Sequence, residues 1–160
     1  MATAGVASRS RLSGSDEQTM RIPGRCHCGN LSFALDWKSE PAEIPARACT
    51  CTFCTKHGAL WTSCPGGSLR IRIREPAAAR TYRFGTGTAE FHLCARCGAL
   101  PVVTSRIEGR LYAVVNVRTF EDFSSLTVNT SPSSVDGEIE DARLTRRARN
   151  WIGDVAFVDA

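Results

Sequence analysis

The sequence lacks any apolar run approaching the ~18–20 residues that a membrane-spanning helix needs. Its first twenty residues, MATAGVASRSRLSGSDEQTM, hold no apolar stretch of the secretory-signal kind, and Asp16 with Glu17 argues against an organellar transit peptide. No internal repeat marks a solenoid. A strong charge of one sign is missing too: 20 Lys and Arg against 16 Asp and Glu leave +4, and metal-bound thiolates would lower it further. Nucleic acid is therefore poorly supported as a partner, and a membrane is not indicated. Without a signal sequence the expected compartment is the reducing cytoplasm, where cysteines stay as thiols or metal thiolates. Residues 1–20 read as a disordered polar tail, and residues 21–160 as one domain of ordinary composition, 42% hydrophobic and 22% charged over the whole chain.

What is abundant is cysteine, and seven of the eight fall into three short clusters. Cys26 and Cys28 form C-x-C, Cys49, Cys51 and Cys54 form C-x-C-x-x-C, and Cys94 and Cys97 form C-x-x-C. Thiols two or three residues apart converge on one ion without straining the backbone. A disulfide between such neighbours would close too small a loop to restrain the unfolded chain much. Cys28 and Cys97 are each followed by glycine, which permits the positive φ that a metal-binding turn often needs. The segments CHCG and CARCG therefore read as matched halves of a closed four-thiolate site, Cys26, Cys28, Cys94 and Cys97, which staples the start of the domain to its middle.

The middle cluster has only three thiols. If the segment is extended, Cys49 and Cys51 share a side, and Cys54 returns through a turn. Zinc held by three thiolates keeps a coordination position for a substrate sulfur or carbonyl oxygen. Closure by Cys64 or by His57 is the alternative; Cys64 would otherwise be an apolar filler. His27 and His92, beside ligand cysteines, read as makers of local hydrogen bonds.

Around these motifs the chain reads as mainly β. Leu31, Phe33 and Leu35 alternate with Ser32 and Ala34. Leu69, Ile71 and Ile73 alternate with Arg70, Arg72 and Arg74, a half-buried strand with a basic outer face. Leu111 to Val117 reads as a central strand. Residues 129–137 read as a loop. A late helix is expected over 139–151, with Ile139, Ala142, Leu144, Ala148 and Trp151 inward, Arg143, Arg146, Arg147 and Arg149 outward, and Gly153 as its stop.

The motifs Arg25-Cys-His-Cys-Gly29, Cys49-Thr-Cys-Thr-Phe-Cys54 with Gly58 and Ala59, and Phe91-His-Leu-Cys-Ala-Arg-Cys-Gly98 resemble the glutathione-dependent formaldehyde-activating enzyme (GFA/CENP-V) family. Val115-Asn-Val-Arg118 matches a further family element, and the resemblance covers about 24–123. It implies a zinc-stapled fold of the β-tent type. It also implies structural zinc at Cys26, Cys28, Cys94 and Cys97, and a second, catalytic-type zinc at Cys49, Cys51 and Cys54. The implied activity is that of a carbon–sulfur lyase, S-(hydroxymethyl)glutathione synthase, which adds glutathione or a similar small thiol reversibly to formaldehyde or a small aldehyde. Lys56 and Arg47 flank the middle cluster as cations for a substrate carboxylate, with Asn116 and Arg118 as other polar contacts. The competing reading is a binding module with two structural zincs and no catalysis, using Arg70, Arg72 and Arg74 or the segment 143–149 against an acidic partner.

Overall fold

The computed structural model describes residues 18–160, so the expected tail falls, through residue 17, outside the described residues. Along the chain run β1 (Met20–Arg25), β2 (Leu31–Trp37), β3 (Ile44–Cys49), α1 (Thr52–His57), β4 (Trp61–Thr62) and β5 (Ser68–Ile73). Then come β6 (Ala79–Tyr82), β7 (Glu90–Cys94), β8 (Val102–Ile107), β9 (Arg110–Asn116), β10 (Val128–Ser133), α2 (Glu140–Asn150) and β11 (Asp154–Val158). The architecture is mainly β, as expected. No helix among the described residues is long and apolar enough to cross a membrane.

Two sheets form. The first has the order β1-β2-β5-β11, the second β10-β3-β4-β9-β8-β7-β6. Strand β9 is the middle strand of the second sheet, which is where its apolar run belongs. Period-two alternation explains why β8 and β9 are apolar on both sides. Val102 and Val115 pair across the strands and face the first sheet, meeting Phe33, Leu35, Leu69 and Ile71 in the main core. Val103 and Val114 pair on the opposite face and join Trp61, Leu100, Trp151 and Cys54 in a second apolar cluster. That second face carries the cavity described below. The basic strand is β5: Leu69 and Ile71 are buried, while Arg70 pairs with Asp154 and Arg72 donates to the Asp159 carbonyl. Its outer charge is thus partly neutralised by β11 and the residues after it.

Three local expectations are corrected, and one strand is added. Residues 129–137 are not all loop, because β10 runs parallel to β3 from Val128 opposite Ile44 to Ser133 opposite Cys49. Pro132 is tolerated there because β10 is a sheet edge, where one side needs no donor. The turn after Cys51 is the short helix α1. The added strand is β11, to which the sequence reading assigned no element; its side chains show no sharp alternation of burial, and it pairs parallel with β5. The late helix exists but stops at Asn150, and its faces are partly exchanged: Ile139 is 70% exposed and Ala142 and Ala148 are exposed, whereas Arg147 is 6% exposed; Trp151 is buried and Arg149 exposed as expected.

Candidate metal centres and the adjoining cavity

The first cluster is built from two turns. Cys26 and Cys28 lie between β1 and β2; Cys94 ends β7 and Cys97 follows in its turn. Each turn closes with the same backbone bond five residues on, Cys26 N–H to the Leu31 carbonyl at 2.8 Å and Cys94 N–H to the Ala99 carbonyl at 3.0 Å. Gly29 (φ 80°) and Gly98 (φ 74°) take the left-handed conformation that their position after a cysteine suggested. The four sulfurs lie within 4.8 Å of one another. Cys26 and Cys28 are 3.8 Å apart, and Cys28 and Cys94 3.4 Å. A tetrahedron with Zn–S bonds of ~2.3 Å has edges of about 3.8 Å, so this donor set fits zinc. The Leu31 amide donates to Cys26 Sγ at 3.3 Å, an outer-shell bond that orients the ligand.

Without metal the thiols are unequal. Burial pushes Cys26 up to about 12, and neighbouring thiols add to it. Cys97 falls to about 6: burial opposes this, but the amides of Ala99 and Cys28 and the thiols of Cys94 and Cys26 outweigh it. Such a site holds negative charge on its exposed side first, and a cation relieves the crowding.

The second cluster forms where β3 ends and α1 begins. Cys49 is the last residue of β3; Cys51 is the N-cap of α1, and its sulfur accepts the Cys54 amide at 3.4 Å. The cap turn that starts the helix therefore also brings Cys54 back beside Cys51. Trp61 of β4 donates from Nε1 to Cys54 Sγ at 3.3 Å. The sulfurs of Cys49, Cys51 and Cys54 lie within 4.8 Å of one another. Cys49 is held down near 5, first because the Cys54 thiol donates to it; the same bond, with burial, raises Cys54. Three thiols so placed fit a metal with one position left to another ligand.

Neither proposed fourth ligand joins them. Cys64 is buried in the core between the sheets. His57 sits in the last turn of α1 with its ring against Phe53, centroids 4.5 Å apart. His92 makes the local bond expected of it, to Thr104 Oγ1 at 2.8 Å, while His27 is exposed. Asn116 accepts the amides of Leu60 and Arg118 and donates to the Leu100 carbonyl. Arg118 donates to the Gly58 carbonyl at 2.7 Å. Both residues clip loops together and stay out of the cavity lining.

The three sulfurs open on a cavity of about 310 Å³. Trp61, Phe91, Val103 and Val114 form its apolar floor, on the outer face of the second sheet. Arg47, on β3, lines it and donates to Ser63 Oγ at 3.0 Å; burial, then the charge of Arg146, holds its guanidinium below the ordinary range. Lys56 is exposed on α1 and lines no part of it. The rest of the basic wall, Arg143, Arg146 and Arg147 with Trp151, comes from α2 and its cap and was not foreseen as part of the site. The available signal was a helix whose arginines outnumber its acids.

A crystal structure of a Rhodobacter sphaeroides protein is similar to the chain, at 28% identity and a TM-score of 0.49, over 67% of this chain and 99% of that one. The family model described as glutathione-dependent formaldehyde-activating enzyme matches residues 21–134, a span holding both cysteine clusters. The chain belongs to the glutathione-dependent formaldehyde-activating enzyme family.

Proposed function

We propose that the chain is a zinc-dependent carbon–sulfur lyase that adds glutathione, or a related small thiol, reversibly to formaldehyde or a small aldehyde. The observation that carries this is the three-sulfur cluster of Cys49, Cys51 and Cys54, which opens on a cavity and has no fourth His, Cys, Asp or Glu ligand among the described residues. Cys26, Cys28, Cys94 and Cys97 hold a structural zinc in this reading, and the three cysteines hold a second. Zinc at the three-sulfur cluster supplies Lewis acidity and favours a thiolate over a thiol. In the addition the thiol sulfur forms a bond to the carbonyl carbon, the C=O π pair moves to oxygen, and the thiol proton ends on that oxygen.

The chain's own groups do the positioning. The Trp61 N–H and the Cys54 amide donate to the sulfurs of Cys54 and Cys51, which fixes where the thiolates point. The floor of Trp61, Phe91, Val103 and Val114 keeps water from one side. Residues 21–160 act in this reading as one unit, supported by the pairing of β11 with β5. A cytoplasmic setting suits the free thiols.

The test follows exchange between ¹³C-formaldehyde and its glutathione adduct by NMR, with zinc-loaded protein. Wild type accelerates exchange, and Cys54→Ser abolishes that while one zinc per chain remains bound. Undiminished exchange by Cys54→Ser, or none by wild type holding two zincs, sinks the proposal; the second result would favour the binding module.

A further inference from the structure

Helix α2 begins after the last residue matched by the family model, residue 134, so Arg143, Arg146 and Arg147 are features of this chain outside that match. Arg147 is 6% exposed and lines the cavity, yet no carboxylate pairs with it among the described residues. Burying a cation without a counter-ion is costly, and a guanidinium cannot escape by losing its proton. Burial, with the charges of Arg143 and Arg146, lowers Arg147 to about 10, which still leaves it protonated at neutral pH. The Trp151 ring, 5.0 Å from Arg147 Cζ, offsets part of the cost.

The side chain is nonetheless held firmly. Its Nη1 donates to Thr88 Oγ1 at 2.8 Å and to Ser105 Oγ at 3.2 Å. Ser105 in turn donates to the Thr88 carbonyl at 2.8 Å, which turns its lone pairs toward the guanidinium. The Nε atom is buried without a partner, and no bond among the described residues occupies Nη2. Arg143, one turn away, also has a buried Nε without a hydrogen bond, 3.9 Å from the nearer oxygen of Glu138. Glu138 is engaged by Arg146 at 3.0 and 3.2 Å. Among the described residues, Asp136 is the lone carboxylate lining a cavity that Arg47, Arg143, Arg146 and Arg147 also line.

We infer that Arg147, with Arg143 beside it, forms an anion subsite in the cavity, and that the thiol substrate handled at Cys49, Cys51 and Cys54 carries a carboxylate that docks there. A guanidinium offers a planar pair of donors that matches a carboxylate, and a dry wall strengthens the pairing. The inference rests on the proposed function for the thiol end of the ligand; the anion end is measured separately.

The test uses zinc-loaded full-length protein and calorimetric titration with S-methylglutathione, its dimethyl ester, malonate and inorganic phosphate. S-methylglutathione binds about tenfold or more tightly than the ester, the loss expected for a charge-assisted hydrogen bond. Arg147→Met removes that preference and leaves the ester's affinity unchanged. Arg147→Lys, which keeps the charge without the fork, falls between. Arg143→Gln, at a more exposed position, shows a smaller loss of the same preference and serves where Arg147→Met does not fold. In turnover Arg147→Met and Arg143→Gln raise KM for glutathione with little change in kcat, as lost uniform binding does. Equal affinity for acid and ester, or full acid affinity in the folded variants, overturns the subsite, and phosphate outcompeting malonate overturns the carboxylate assignment. If wild type turns over no glutathione and formaldehyde but binds malonate through Arg147, the proposed function fails and the subsite stands. Turnover that ignores both esterification and the arginine variants means the reverse.

Discussion

Matched double substitutions separate the two cysteine clusters by the length of chain each one ties together. Cys28→Ser with Cys97→Ser removes one thiol from each turn of the four-sulfur cluster; Cys49→Ser with Cys51→Ser removes two from the other. None of the four is buried in an apolar core, and serine at position 51 remains a good N-cap, so cavities and lost caps add little. The four-sulfur cluster joins Cys28 to Cys94 across 66 positions. Chain-entropy bookkeeping for a cross-link of that span gives about 4 kcal/mol at 25 °C. The same relation gives about 2 kcal/mol for the short Cys49–Cys54 segment. The first pair of substitutions is thus expected to destabilise zinc-loaded protein by about 2 kcal/mol more than the second. With a urea m-value of about 2 kcal/mol/M this is a midpoint lower by about 1 M. Tryptophan fluorescence reports the transition, because Trp37, Trp61 and Trp151 are all buried. Equal midpoints for the two double variants, or a larger loss at Cys49 and Cys51, refute the reasoning.

Trp61→Phe deletes the donor to Cys54 Sγ while keeping an aromatic ring; it weakens metal binding at the three-sulfur cluster by about 10–100-fold and spares the other, as read by chelator competition. A single shared affinity change at both clusters contradicts this. Asn116→Ala strands the Leu60 and Arg118 amides and the Leu100 carbonyl, and lowers stability by about 2–3 kcal/mol in urea unfolding. A loss within experimental error would show that water replaces all three bonds. Asp36 accepts two bonds from Arg21, at 2.7 and 2.8 Å, and these hold its carboxyl below the ordinary range against an opposing burial effect. A depressed folded value gives stability that is complete above the unfolded pKa of about 3.9 and is lost as pH falls through the folded value. Asp36→Asn therefore flattens the acid limb of the stability profile below about pH 4 and leaves the neutral slope alone; an unchanged acid limb would deny the shift.

The cysteine grouping was legible because it is local. Spacings of two and three residues and a following glycine fix each turn, and two such turns need only meet. The central position of β9 was legible for a similar reason: a strand apolar on both faces has to be covered on both. The arginines of α2 were not legible. Periodicity placed Ile139, Ala142 and Ala148 inward, on the premise that apolar residues seek the core. The helix instead abuts a cavity, where the head of Arg147 meets Thr88, Ser105 and Trp151 and that of Arg146 meets Glu138. No local pattern encodes that Thr88 and Ser105 will lie there. Strand β10 was hidden for another reason: Ser, Thr and Pro suit a polar edge strand as well as a loop, and only the presence of β3 decides between them.

Among the described residues, two parallel pairings flank α2. Before the helix, β10 is laced to β3 at the edge of one sheet; after it, β11 is laced to β5 at the edge of the other. The helix is therefore tied through its two ends to different sheets, by the segment after β10 and by the short link to β11. Much of the orientational freedom of the arginine wall is thus spent when the protein folds, before any ligand arrives.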